Sequence, residues 1–79
     1  MNVRIKFFGM IAEAAEKELL IFEDYPGETL GELENTLLEH LPQLKRFSYS
    51  LALNKKLSDS KTKLEADNEV AVLPPFAGG

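Results

Sequence analysis

Residues 29–42, TLGELENTLLEHLP, contain the pattern that decides the fold. Thr29 is a good helix N-cap, and Glu32 three residues later completes the capping-box pattern, which satisfies two otherwise unpaired backbone donors. Leucines then recur at helical spacing, and Pro42 cannot continue helical hydrogen bonding. The stretch therefore predicts one amphipathic helix that ends before Pro42. Its buried side is expected to carry Leu30, Leu33, Leu37 and Leu41.

Short runs with strand character lie on both sides of this helix. Residues 3–7 (VRIKF) alternate apolar and charged side chains, which is the period-two signature of a half-buried strand. Further strands are predicted at 19–22, 50–54 and 69–73, a short helical turn at 10–17, and an irregular lysine-rich segment at 55–63. The resulting order β-β-α-β-β predicts an α+β domain, with one main helix packed across one sheet.

The first strand has two distinct faces. Val3, Ile5 and Phe7 share the face that we expect to join the helix in the core. Phe8 points the opposite way and is a candidate exposed aromatic on the outer sheet face, beside Leu73 and Phe76. An exposed apolar patch of this kind often marks a partner site.

Composition excludes several classes of protein. The chain has 79 residues, no cysteine and one histidine, so one small domain without disulfides or a structural zinc site is expected. The net charge of −4 disfavours a nucleic-acid partner and fits a protein partner with a basic face. No apolar run approaches the roughly 20 residues of a membrane span. The opening residues already alternate, so no signal peptide is expected and a cytoplasmic domain is predicted.

No constellation for catalysis by this chain alone is present. A phosphate-binding GxxxxGK[ST] loop is absent, and His40 is the single histidine available as a base. His40 falls in the last turn of the predicted helix, where a basic side chain suits the helix dipole. A lone general base is the alternative reading of His40. No metal site is predicted.

The end of the sequence is more specific. Residues 73–79 (LPPFAGG) leave a strand, pass through two prolines and finish in two glycines. Two terminal glycines arise by chance in roughly 0.5% of chains. Pro74 and Pro75 are expected to hold the tail extended and away from its own domain, and Gly78 and Gly79 keep it narrow enough to thread into another protein. The carboxylate would become reactive on ATP-dependent adenylation. A frayed terminus without function is the alternative.

The sequence resembles the small subunit of molybdopterin synthase, a family of sulfur carriers with the ubiquitin-like β-grasp fold. The matching segments are spread over nearly the whole chain, and the terminal one is the most specific. They are 5–9 (IKFFG) with 13–15 (EAA), 29–33 (TLGEL), 51–54 (LALN) and 68–79 (NEVAVLPPFAGG). The resemblance implies a β-grasp domain with a mixed sheet over residues 1–73 and an extended tail over 74–79.

The resemblance also implies a function in molybdenum-cofactor biosynthesis. An adenylating enzyme of the ubiquitin-activating type would use ATP to form the Gly79 acyl adenylate, and sulfur transfer would give a thiocarboxylate. The large synthase subunit would take up the tail and pass the sulfur to the pterin precursor. Catalytic side chains belong to these partners, and no cofactor is bound stably by this chain. The implied tail residues are Ala77, Gly78 and Gly79, and the implied partner contacts are Phe8, Leu73, Pro74, Pro75 and Phe76.

Two other readings stay open on the sequence. One is a sulfur carrier for thiamine synthesis or tRNA thiolation, or a ubiquitin-like protein modifier, since these share the diglycine end. The other is a plain interaction domain whose tail is passive. Fold alone does not separate them, because function resides in the site.

Overall fold

The computed structural model describes residues 1–75 and consists of one five-stranded sheet, two α-helices and a 3₁₀ helix. The strands are β1 (Asn2–Phe7), β2 (Leu19–Phe22), β3 (Ser50–Leu53), β4 (Lys56–Leu57) and β5 (Asp67–Leu73). The helices are α1 (Gly9–Ala15), α2 (Leu30–His40) and the 3₁₀ helix (Pro42–Arg46). This confirms the predicted α+β class with one main helix.

The first and last strands meet in the middle of the sheet. The strand order is β2-β1-β5-β3-β4. β1 and β5 run parallel, with Asn2 opposite Asp67 and Phe7 opposite Val72, whereas the other neighbouring pairs are antiparallel. The sheet is therefore mixed, and β5 is hydrogen-bonded along both sides.

The hydrophobic core lies between the inner sheet face and α2, as the sequence predicted. Each predicted core residue is at most 7% exposed. These residues are Val3, Ile5, Phe7, Leu30, Leu33, Leu37 and Leu41. Val70 and Val72 of β5 face the same core, because their register partners on β1 are Ile5 and Phe7. Adjacent central strands thus present one continuous apolar surface to the helix.

The helix cap forms, although its second half differs from the predicted capping box. The Glu32 backbone N–H donates to Thr29 Oγ1 at 3.2 Å, as expected for an N-cap. The Thr29 hydroxyl in turn donates to Glu32 Oε1 at 3.2 Å, so the carboxylate binds the side chain of Thr29. α2 then ends at His40, before Pro42 as predicted.

Two elements were not predicted from the sequence. Pro42 ends α2 but also begins the 3₁₀ helix, because its fixed φ and missing N–H suit a first helical position. The prediction of an irregular segment after Lys55 is wrong at β4. Asn54 and Lys55 both have positive φ, 49° and 73°, which fits the two-residue turn that folds a hairpin back onto β3.

We expect Leu37→Ala to lower the free energy of unfolding by about 2–5 kcal/mol, because Leu37 is 1% exposed between α2 and the sheet. Leu57→Ala is the matched control, since Leu57 is 73% exposed and should change stability by no more than about 0.5 kcal/mol. Urea unfolding of both variants measures the difference. Equal costs would contradict the assignment of the buried helix face.

Candidate functional site

The root of the C-terminal tail is held firmly by the sheet. β5 ends at Leu73, which is half-buried and opposite Ser50 of β3. Pro74 is also half-buried and lies against Gly9, where an added Cβ would come within 3.3 Å of Pro74 Cγ. Gly9 also has a φ of +56°, which is a backbone conformation that favours glycine. The tail thus departs from a fixed point.

This packing corrects one expectation about the two prolines. Pro74 does not point away from the domain, because the missing side chain of Gly9 leaves room for its ring. Pro75, the last described residue, is exposed. The predicted site residues Phe76, Ala77, Gly78 and Gly79 lie outside the described residues.

Phe8 stands beside the tail root. Its backbone N–H donates to the Val72 carbonyl at 3.3 Å, which fixes Phe8 next to the end of β5. Its side chain is 43% exposed, as predicted. Phe8 borders a cavity of about 320 Å³, which we call the Phe8 groove. The residues that line the Phe8 groove are Lys6, Phe7, Phe8, Glu18 and Leu19.

Charged side chains surround this apolar surface. Glu69 lies on the outer sheet face between two cations, with its Oε2 3.7 Å from Arg4 Nη2 and 3.4 Å from Lys6 Nζ. Exposed pairs of this kind contribute little to stability. Lys6 and Glu18 also give the Phe8 groove one charge of each sign. A partner at this groove therefore meets apolar surface with a mixed rim, although the whole chain is acidic.

A second cavity of about 370 Å³ lies where α2 faces the β3–β4 hairpin. At its edge the Tyr49 hydroxyl donates to Glu34 Oε2 at 2.6 Å. Burial raises the pKa of the Tyr49 phenol well above its ordinary value, and the hydrogen bond and negative charge of Glu34 act in the same direction. A phenol with a raised pKa is a weak acid that keeps its proton and continues to donate to Glu34, so the pair tethers the segment before β3 to α2.

His40 takes the structural role expected of a residue in the last helical turn. Its Nδ1 lies 3.0 Å from the Thr36 carbonyl oxygen, and its ring packs against Phe22 with 5.0 Å between centroids. Within residues 1–75, no three potential metal-ligating side chains come together. No helix in the same part of the chain has the length and apolar character needed to cross a membrane.

Three exposed apolar side chains near this surface were not singled out from the sequence. Leu19 and Ile21 of β2 are 46% and 48% exposed, and Met10 at the start of α1 is 52% exposed. Residues 19–22 form an unbroken apolar run, in which no polar residue marks the solvent side. The register with β1 shows which of these side chains lie on the outer sheet face, because it places Leu19 opposite Lys6 and Ile21 opposite Arg4.

A mixed sheet that grips one main helix, with a chain leaving its central strand, defines the ubiquitin-like β-grasp class. Within this class the chain belongs to the ThiS family, whose sequence model matches residues 5–79. No protein of curated function matches the sequence.

Solved structures agree with this assignment. SAMP1 from Haloferax volcanii superposes with a TM-score of 0.83 at 21% identity, covering 100% of both chains. A candidate molybdopterin converting factor subunit 1 from Pyrococcus furiosus gives 0.84 at 19% identity, over 96% of this chain and 99% of that one. A complex of subunits 1 and 2 of molybdopterin-converting factor from Helicobacter pylori gives 0.72 at 29% identity, over 100% of both chains. The predicted β-grasp fold is confirmed.

We expect Tyr49→Phe to lower the free energy of unfolding near neutral pH by about 1–2 kcal/mol, because Glu34 loses its donor. The difference from the wild type should shrink as the pH rises above about 10, where the unfolded phenol ionises and the folded one keeps its proton. Urea unfolding across that pH range measures it. Tyr25→Phe is the control, and a Tyr49→Phe difference that does not change with pH would contradict the tether.

Proposed function

We propose that this chain is a sulfur carrier in molybdopterin biosynthesis, with the sulfur held as a thiocarboxylate on Gly79. The observation that carries the proposal is the fixed tail root, in which Pro74 packs on Gly9 directly after a strand bonded on both sides. A carrier of this kind acts in the cytoplasm, where the activating enzyme finds ATP.

The chemistry assigns the reactive group to the end of the tail. The chain has no cysteine, so sulfur cannot be carried on a side-chain thiol. A Gly79 carboxylate is a poor electrophile until an adenylating partner joins it to AMP from ATP, with release of pyrophosphate. Attack by a sulfur nucleophile at the oxidation level of sulfide, such as hydrosulfide, forms the C–S bond and displaces AMP, and loss of the S–H proton leaves the thiocarboxylate. The side chains that promote these steps belong to the partners.

The partner proposed for the second step is a large synthase subunit. Support comes from the Helicobacter pylori structure, which is a protein–protein complex of subunits 1 and 2 of molybdopterin-converting factor. Phe8, half exposed beside the tail root, suits a docking contact because it lies close to the point where the tail departs. Leu73, Pro74, Pro75 and Phe76 are the further contacts we propose.

A fixed tail root matters because the position of the docked domain then limits where the carboxylate can lie. Four residues follow Pro75, and an extended chain advances about 3.3–3.6 Å per residue. The reactive atom can therefore reach deep into a partner while the domain stays on its surface. Gly78 and Gly79 have no Cβ, which keeps this thread narrow.

We expect Phe8→Ala to weaken binding to the large subunit by about tenfold or more, because truncating a central aromatic contact usually carries such a cost. Leu57→Ala is the matched control, since Leu57 is exposed on β4 at the far side of the sheet. Calorimetric titration gives the affinities, and thermal unfolding verifies the fold. Normal binding by a folded Phe8→Ala variant would remove Phe8 from the interface.

Deleting Gly79 should abolish thiocarboxylate formation without lowering the melting temperature, because terminal residues contribute little to the core. One added residue after Gly79 should be equally damaging, since a misplacement of about 1 Å already costs about a hundredfold in rate. Intact mass after incubation with the activating enzyme, ATP and a sulfur donor measures the exchange of one oxygen for sulfur.

Two results of this mass experiment would overturn the proposal. A truncated or extended chain that accepts sulfur at the wild-type rate would show that Gly79 is not the site. A ladder of covalent adducts on other proteins, with no sulfur uptake, would favour the ubiquitin-like modifier.

A further inference from the structure

The edge of the sheet at β2 has free hydrogen-bonding capacity. Within residues 1–75, β2 pairs with β1 alone. The Phe7 N–H donates to the Glu18 carbonyl at 3.0 Å, so the backbone groups of residue 18 and of the alternate residues after it point toward β1. The N–H and C=O groups of Leu19 and Ile21 therefore point outward from the sheet.

The side chains at these two positions are apolar and exposed. Leu19 and Ile21 are 46% and 48% exposed on the outer sheet face, while Leu20 and Phe22 pack against the core. Natural edge strands are usually protected by proline, an inward charge or a covering element. Residues 19–22 contain neither proline nor a charge, and α1 packs on β1, β5 and the 3₁₀ helix. The edge is open to another strand.

The residues in and beside β2 are complementary to the same residues of a second copy that runs antiparallel to the first. Leu19 and Ile21 share one face of β2, and continuing the alternation two residues back from Leu19 and two residues on from Ile21 adds Lys17 and Glu23 to that face. If two copies run antiparallel about a twofold axis at Leu20, Lys17 of each copy faces Glu23 of the other, and Leu19 faces Ile21. Cation meets anion and apolar meets apolar at each position of this face.

We propose that two copies of this chain pair through β2 in this register, forming one sheet that continues across both. The outward N–H and C=O groups of Leu19 and Ile21 in one copy bond those of Ile21 and Leu19 in the other. Such a contact has twofold symmetry. The same residues of both copies form it, so each pair of facing residues occurs twice.

The turns at both ends of β2 support this register. Glu16 and Asp24 would face each other if the strand conformation continued, which would place like charges in opposition. Both residues instead have positive φ, 61° and 53°, so the chain turns away at each end. Backbone pairing is thereby confined to β2, and Lys17 and Glu23 lie just beyond it at either end.

The contact is small, so the dimer is expected to form at high protein concentration. β2 has four residues, whereas stable interfaces bury about 1,600 Å². Sedimentation analysis over a concentration series should show a reversible monomer–dimer equilibrium. Amide resonances of residues 17–23 should shift with concentration, and those of β4 at the other edge should not.

A charge-swap experiment tests the register. Lys17→Glu and Glu23→Lys should each weaken self-association by about tenfold, because like charges then face each other at both ends. The double variant, Lys17→Glu with Glu23→Lys, should restore it, and an equimolar mixture of the two single variants should associate at least as well as the wild type. Both positions are exposed, so the fold should survive.

Ile21→Pro tests the backbone contact independently. It removes an N–H that points outward, so the bonds from β2 to β1 should remain and dimerisation should be lost. Leu57→Lys on β4 is the control and should leave self-association unchanged. A chain that stays monomeric at every concentration overturns the proposal and leaves this edge to a strand of another protein. The proposal is also overturned if neither single charge swap nor Ile21→Pro weakens self-association.

Discussion

The parallel pairing of β1 with β5 is the contact on which the rest of the structure depends. It joins the two ends of the described chain in the middle of the sheet, where Ile5 meets Val70 and Phe7 meets Val72. These four side chains pack in one core with the buried leucines of α2. The same pairing brings Phe8 beside the root of the tail, because the Phe8 N–H continues the ladder to the Val72 carbonyl. The core, the Phe8 groove and the tail root thus all depend on the pairing of β1 with β5.

Local patterns in the sequence were sufficient to predict the elements whose formation depends on interactions between nearby residues. The alternation in residues 3–7 gave the inner face of β1, and the cap at Thr29 with the leucine spacing gave α2 and its buried side. β4 could not be recognised, because a two-residue strand has no periodicity and forms when the positive-φ turn at Asn54 brings it to β3. The parallel pairing also depends on contacts between distant residues, which no local pattern encodes.

The candidate site was predictable to a similar degree. The exposure of Phe8 followed from its phase on β1, and the expectation that it lies beside Leu73 agrees with the bond from its backbone N–H to the Val72 carbonyl. The packing of Pro74 on Gly9 did not follow, since it depends on a glycine 65 residues earlier in the sequence leaving space at the tail root. The exposed faces of Leu19 and Ile21 needed the register with β1, because the run 19–22 is apolar throughout.

The central position of β5 has a consequence for synthesis of the protein. Among the described strands β1 is translated first and its sheet neighbour β5 is translated last, so a ribosome-bound chain lacks the middle of its sheet until Leu73 has been made. Folding that depends on such distant pairings is slow, and incomplete chains expose apolar surface. A product truncated before Asp67 would leave Val3, Ile5 and Phe7 without their partners and would be a substrate for proteases. Quality control of the fold would therefore remove chains that lack β5 together with the residues that follow it in the sequence.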